Sequence, residues 1–501
     1  MMNLLLVAVG LPLLGAVAGA FLPSRSAALW RWWGVGFSLA ALVAAVLVAV
    51  QFDMGQGSLQ MRLSLPWVPL FGVTFGVGIN GISLPLLLLS AVVFCAAFAS
   101  FGWIEERQKE YALWLLVMEC GLLGLFVATD LILFFVFFEV VLIPSYFLVG
   151  IFGRGNREHT AIKFVTYTGV ASAVLLISFV LLAFTAARYG GGNLTTDIPA
   201  LTQAMGAAEA RIPAGLQTAL FLAMALAFMV KMPIFPLHSW APDVYRDAPI
   251  PVAAVLSGVM SKMGAYGILR IAVPLLPAAA SQASWLLGLL GVISILYGAI
   301  AALGQKDLRL LLAYSSMSHM GVLLLGIASL NTVGLQGAVF QMVSHGLIIP
   351  GLFFVVGLIG LRAQSYDLQE LGGLWQRSPR LMGVFLVLGL AALGLPLTSG
   401  FIAEFQAFAG AFRASQLQVL SFIGVLGFIF SASYILWMVE RTAYGPLPPR
   451  LEQASIRDVT AMEWVSPLVL VLLVVAVGVF PALVGTPLTP SLGELLRGLG
   501  G

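Results

Sequence analysis

The chain has 501 residues, 60% of them hydrophobic and only 9% charged, with 24 Lys and Arg against 21 Asp and Glu, and a mean hydropathy of +1.04. Soluble domains carry about 25% charged residues, so the composition excludes a globular enzyme and indicates a polytopic membrane protein. A formal net charge of +3 with no long basic run excludes a nucleic-acid binder.

Fourteen apolar stretches of roughly bilayer-spanning length follow one another, at 2–22, 29–51, 79–102, 111–128, 130–151, 163–187, 215–237, 250–275, 282–303, 308–330, 333–361, 380–411, 417–440 and 462–484. The expected fold is all-α. The first stretch has a weak start and no small-residue cleavage site, so it reads as a retained helix and not a signal peptide. Across the start of the third stretch, Gly76 to Gly81 spell GxGxxG. That string binds dinucleotides only between a strand and a helix of a βαβ unit, and here a membrane helix follows, so nucleotide binding is rejected. The two cysteines, Cys95 and Cys120, lie in apolar segments without CxxC or Cys/His spacing, which argues against an iron–sulfur or zinc site.

Ionisable residues inside such stretches are costly, by roughly 2.5–3.5 kcal/mol on insertion scales, and mark ion paths. Glu119 lies in the fourth stretch. Asp130 opens the fifth and reads as a helix cap, whereas Glu139 stands alone in FFVFFEVVLIPSYFL. Lys163 begins the sixth. Lys231 ends the apolar part of the seventh and opens KMPIFPLHSW, whose Pro233 and Pro236 break the helix. Broken helices at membrane depth are tolerated only under protein cover or beside water. Glu139 and Lys231 are expected to pair, each altering the other's hold on its proton, and His238 to tie the unwound turn together. Lys262 lies in the middle of the eighth stretch, His319 in the tenth and His345 in the eleventh; Glu404 follows Pro396 and Gly400 in the twelfth. Histidine titrates near neutrality, so His319 and His345 suit a relay between lysine and glutamate.

Glu139 is followed by Lys163 after 24 residues and Lys231 after 92; His319 is followed by His345 after 26 and Glu404 after 85. With a helix break in each case, the spacing suggests two five-helix units at 111–275 and 282–440, flanked by 1–110 and 441–501. An odd helix number per unit makes the repeat inverted. Loops after odd-numbered stretches carry fifteen basic residues, among them Arg25, Arg154, Arg309 and Arg457, against six on the other side, among them Arg62 and Arg270. The positive-inside bias then puts both termini away from the cytoplasm.

FFEVVLIPSYFL, KMPIFPLHSWAPD, SKMGAYGILR, LLAYSSMSHMG and SGFIAEF resemble the antiporter-like subunits of respiratory complex I, over nearly the whole chain. Glu404 makes the resemblance strongest to the M-type chains of bacterial NADH–quinone oxidoreductase, because L-type, N-type and Mrp antiporter chains usually have lysine there. No long lateral helix of the L type follows the fourteenth stretch. The resemblance implies a proton-translocating subunit of fourteen helices in the bacterial inner membrane, beside L-type and N-type chains. It implies a Glu139–Lys231 pair and a path through Lys262 to Glu404. NADH, FMN, iron–sulfur clusters and quinone would belong to partner subunits, with no cofactor or metal in this chain. Asn80 departs from the family, which often has aspartate there. The competing readings are an Mrp-type cation/proton antiporter, the matching subunit of a membrane-bound hydrogenase, and a structural scaffold.

Overall fold

The computed structural model describes residues 3–24, 26–100, 104, 106–453 and 456–498. Arg25 and the outer ends of the first and third stretches lie outside the described residues. Helices α1 (Leu4–Ala20) and α2 (Ala27–Gln51) precede a hairpin of β1 (Gln60–Val68) and β2 (Val73–Ile79), then α3 (Ser83–Ala99) and α4 (Gln108–Val127). The hairpin was not expected from the apolar pattern. It pairs antiparallel, Leu65 opposite Phe75, and its alternation is hidden by two irregularities in register. Gly76 and Gly78 thus lie in a hairpin strand, and the amide of Gly81 donates to Ser491 Oγ at 2.9 Å, so the glycine string serves packing.

Asn80 turns the chain into α3, its Oδ1 accepting from the amides of Ile82 and Ser83 at 3.2 and 3.1 Å. Aspartate would cap in the same way, so the departure at Asn80 keeps the local function. The fifth stretch forms α5 (Leu131–Val140) and α6 (Leu142–Phe152); Pro144 has no N–H for Val140, which kinks the run at Val141. Then come α7 (Arg157–Gly190), the amphipathic α8 (Ile198–Ala208), α9 (Ala214–Lys231) and α10 (Trp240–Asp247).

The eighth stretch is α11 (Ile250–Val255), α12 (Ser261–Gly267) and α13 (Val273–Leu275), joined by π-helical turns at 256–260 and 268–272. There follow α14 (Pro277–Leu303), α15 (Leu308–Ala328), α16 (Thr332–Ala363), α17 (Pro379–Ala392), α18 (Ser399–Arg413), α19 (Gln418–Ala443), the short α20 (Pro449–Glu452), α21 (Ala461–Val479) and α22 (Ala482–Arg497). Among the described residues eleven helices are long and apolar enough to cross a membrane, and α1, α3 and α17 are shorter apolar helices.

Burial sorts these helices. The most apolar windows of Ile250–Leu275 and Thr332–Ala363 are wholly enclosed, while those of Ala28–Gln51 and Ala461–Val479 are only 33% buried. Lys262 of the eighth stretch and Gln341, Ser344 and His345 of the eleventh are therefore buried inside the molecule.

Candidate functional site

Asp130 caps α5. Its Oδ1 accepts from the amides of Ile132 and Leu133, and Oδ2 from Thr74 N, Thr74 Oγ1 and Thr196 Oγ1 at 3.0, 3.1 and 2.6 Å. Five donors satisfy this buried carboxylate, which fixes the start of the helix that carries Glu139. Glu139 sits in the last turn of α5, and its Oε1 is buried without a hydrogen-bond partner.

Lys231 closes α9, is 1% exposed, and its Nζ likewise has no hydrogen-bond partner. Among the described residues no ion pair joins it to Glu139. Its ammonium instead stands over the ring of Phe138, 4.8 Å from the centroid, with Phe164 at 5.8 Å. The expected contact is therefore open in this structure.

The break after Lys231 is held by specific groups. Trp240 Nε1 donates to the carbonyl of Val230 at 2.9 Å, and Ser294 Oγ accepts from the amide of Phe235 at 3.0 Å. These replace helix bonds that Pro233 and Pro236 cannot make. The His238 ring stacks on Phe235 and meets Tyr297 edge-on with Nδ1 unbonded, so the side chain supports the turn by packing. Lys163, from α7, donates to Ser239 O at 2.8 Å and pairs with Asp243 at 2.7 Å, on the far side of the same break. Glu119 lies apart, accepting from Ser38 Oγ at 2.8 Å beside Cys95.

The remaining four residues come together. The widened π turn at 256–260 brings the carbonyl of Ser257 to Lys262 Nζ at 2.7 Å, and Ser261 Oγ is 3.1 Å from the same nitrogen. The third donor direction of Lys262 ends on His345 Nδ1 at 2.5 Å. This reach across to α16 depends on a close helix crossing: a Cβ on Gly258 would lie 2.3 Å from Pro350 Cγ, and one on Gly346 2.9 Å from Gly258 O. Small residues permit such an approach.

The His345 ring is edge-on to His319, 5.6 Å between centroids. His319 Nδ1 in turn lies 3.1 Å from Glu404 Oε1 and 3.3 Å from Gln341 Nε2. A cavity of about 10 Å³, the size of a single water, is lined by both histidines, Gln341, Ser344 and Glu404. Gly394, at φ +78°, makes room for the glutamate in the break between α17 and α18, since a Cβ there would be 2.8 Å from Glu404 Oε2.

This arrangement can hold and pass a proton. An ammonium on Lys262 donates to a His345 whose own proton is on Nε2. A protonated His319 Nδ1 donates to Glu404; a bare one accepts from Gln341. The two contacts of His319 ask opposite roles of Nδ1, so its partner reports whether that nitrogen carries a proton.

Gln341 and Ser344 were missed in the sequence, as was Phe138. The first two stand four and one residues before His345, a polar stripe on one face of an apolar helix, and that spacing was legible. Phe138 had no signal of its own among so many phenylalanines.

A predominantly helical, polytopic membrane chain with a string of ionisable groups inside is the class these observations define. The chain belongs to the NADH:quinone oxidoreductase/Mrp antiporter transmembrane family, whose profile matches residues 128–431. It is 39% identical to the F(420)H(2) dehydrogenase subunit M of Methanosarcina mazei over 94% of this chain and 93% of that one. It is 34% identical to the NADH-quinone oxidoreductase subunit M of Rhodobacter capsulatus, over 99% and 97%. A chain of respiratory complex I from Thermus thermophilus with bound NADH superposes with a TM-score of 0.88 at 30% identity, covering 99% of this chain and 100% of that one.

Proposed function

We propose that this chain is the proton-translocating, M-type membrane subunit of a complex I-like quinone oxidoreductase and holds no redox centre itself. The observation that carries the reading is the string Lys262–His345–His319–Glu404, which links four helices through the interior. The M-subunit relatives support it. Quinone reduction in partner subunits, where NADH or another donor, FMN and iron–sulfur clusters also reside, perturbs Glu139 and Lys231. A proton then passes from Lys231 to Lys262, along the histidines to Glu404, and out on the side of the termini. Lys163 and Glu119 flank this path and do not form the string.

The neighbours in the membrane are L-type and N-type chains. With α1, α3 and α17 counted beside the eleven long spans, the chain crosses the membrane fourteen times. The units 111–275 and 282–440 form the inverted repeat, each with its own break. Both termini face away from the cytoplasm of the inner membrane. An Mrp-type antiporter would differ in needing sodium for transport.

The test is Lys231→Ala in native membranes, with assembly verified and donor-driven quinone reduction measured together with proton uptake into inverted vesicles. Both should fall sharply. Unchanged rates in an assembled complex would sink the reading.

A further inference from the structure

Among the described residues Lys231 is a buried cation whose Nζ meets no oxygen or nitrogen partner. A charged ammonium in apolar surroundings is strongly unfavourable unless it gains a compensating contact. What faces it is a pair of aromatic rings, Phe138 at 4.8 Å and Phe164 at 5.8 Å. The face of an aromatic ring is negative and attracts a cation, most strongly where water is excluded.

The nearer ring is itself held in place. Phe138 is 1% exposed and packs on Phe134 and Phe228, with centroids 6.1 and 6.3 Å away. Phe164 rests on Trp240 at 5.0 Å, the residue that braces the helix break. Glu139 is the next residue after Phe138 on the same helix, about 100° further round it, and its Oε1 too is without a partner. The ring and the carboxylate are therefore neighbouring seats for one ammonium. The kink at Val141, just beyond them, ends the regular helix there.

We propose that Phe138 is a positioning residue for proton transfer, the second seat of the Lys231 ammonium. The cation rests on the ring while Glu139 is disengaged and moves to the carboxylate when the pair closes. In the open state the ring keeps the proton on Lys231, so that it leaves toward Lys262 only when the onward path is ready. This rests on the proton-path reading above and adds a regulating residue to it.

Fluorination of the ring tests it, because fluorine draws electrons from the ring face and changes ring size little. Phenylalanine at 138 is replaced by its mono-, di- and trifluoro analogues in the whole complex, and proton uptake per quinone reduced is measured in inverted vesicles. Coupling should fall step by step with each fluorine, by roughly tenfold over the series, while assembly is unchanged. Phe138→Trp should retain most of the coupling and Phe138→Leu lose it. A flat fluorine series beside an inactive Lys231→Ala overturns the role of Phe138 and leaves the proton path standing. A Lys231→Ala complex that pumps normally overturns both. If Phe138→Leu fails to assemble, the near-isosteric fluorine series still decides.

Discussion

His319 Nδ1 faces two partners that ask opposite things of it, a carboxylate that needs a donor and an amide that needs an acceptor. Glu404→Gln leaves an amide oxygen that can still accept from His319 but removes the ionisable acid. Proton uptake should then fall by roughly tenfold or more, the scale on which a positioned acid or base acts, while the chain still assembles. Vesicle uptake assays on that variant check it. Asp130 is a different kind of carboxylate. Its five donors leave no free lone pair for traffic, so Asp130→Ala should act through stability, losing about 2 kcal/mol or more from the lost cap and the buried hydroxyls left behind. Thermal melting of the detergent-solubilised chain should drop by several degrees, with pumping per surviving complex largely kept.

At the scale of elements, the proposed path depends on where helices are allowed to be irregular. The π turn before α12 presents Ser257 O to Lys262, and the Gly258–Gly346 crossing brings α12 to α16. Gly346→Val would place carbon atoms where Gly258 O and Leu89 now stand. The helices must part, and the 2.5 Å contact between Lys262 and His345 is lost. Proton uptake should collapse while quinone reduction in the partner subunits is measured alongside; retention of full coupling would remove the string from the mechanism. The break after α9 invites a second substitution. Trp240→Phe leaves the Val230 carbonyl without its indole donor, at a cost of about 1–3 kcal/mol, and should appear first as lowered thermal stability.

For the whole molecule, the ends of α10 and α15 are tied by a polar cluster. Arg309 pairs with Asp307 at 2.7 Å and donates to the carbonyl of Arg246 at 2.9 Å, while Arg246 pairs with Asp247 at 2.7 Å. Asp247 in turn takes a bond from Thr160. The neighbouring carboxylates hold the Arg246 guanidinium above its ordinary pKa, with the hydrogen bond to Asp247 the largest cause, so this tie stays charged over the physiological range. Arg309→Ala should loosen α10 from α15 and lower the melting temperature of the assembled subunit. Faster hydrogen exchange around 243–250 and 305–310 is the measurement that places the effect. At the other end α22 seals the hairpin, with Ser491 taking the amide of Gly81 and donating to Gly57 O at 3.0 Å.

Long apolar runs with rare charges determined, from the sequence alone, that this chain is helical and membrane-embedded, and they singled out Glu139, Lys231, Lys262 and Glu404 as candidates. The reason is energetic: a charge among apolar residues is too costly to be there without partners, so its position in the chain is already informative. Prolines located both breaks for a similarly local reason, the missing N–H. What only the tertiary structure decided is which of these charges meet. Lys262 reaches His345 through a glycine crossing between segments far apart in sequence, and Lys231 rests on Phe138 and not on Glu139. Asp130 and Lys163 are occupied by caps and ion pairs. Such choices are made by distances of a few tenths of an ångström between side chains from different helices, and the period of a single helix carries no record of them.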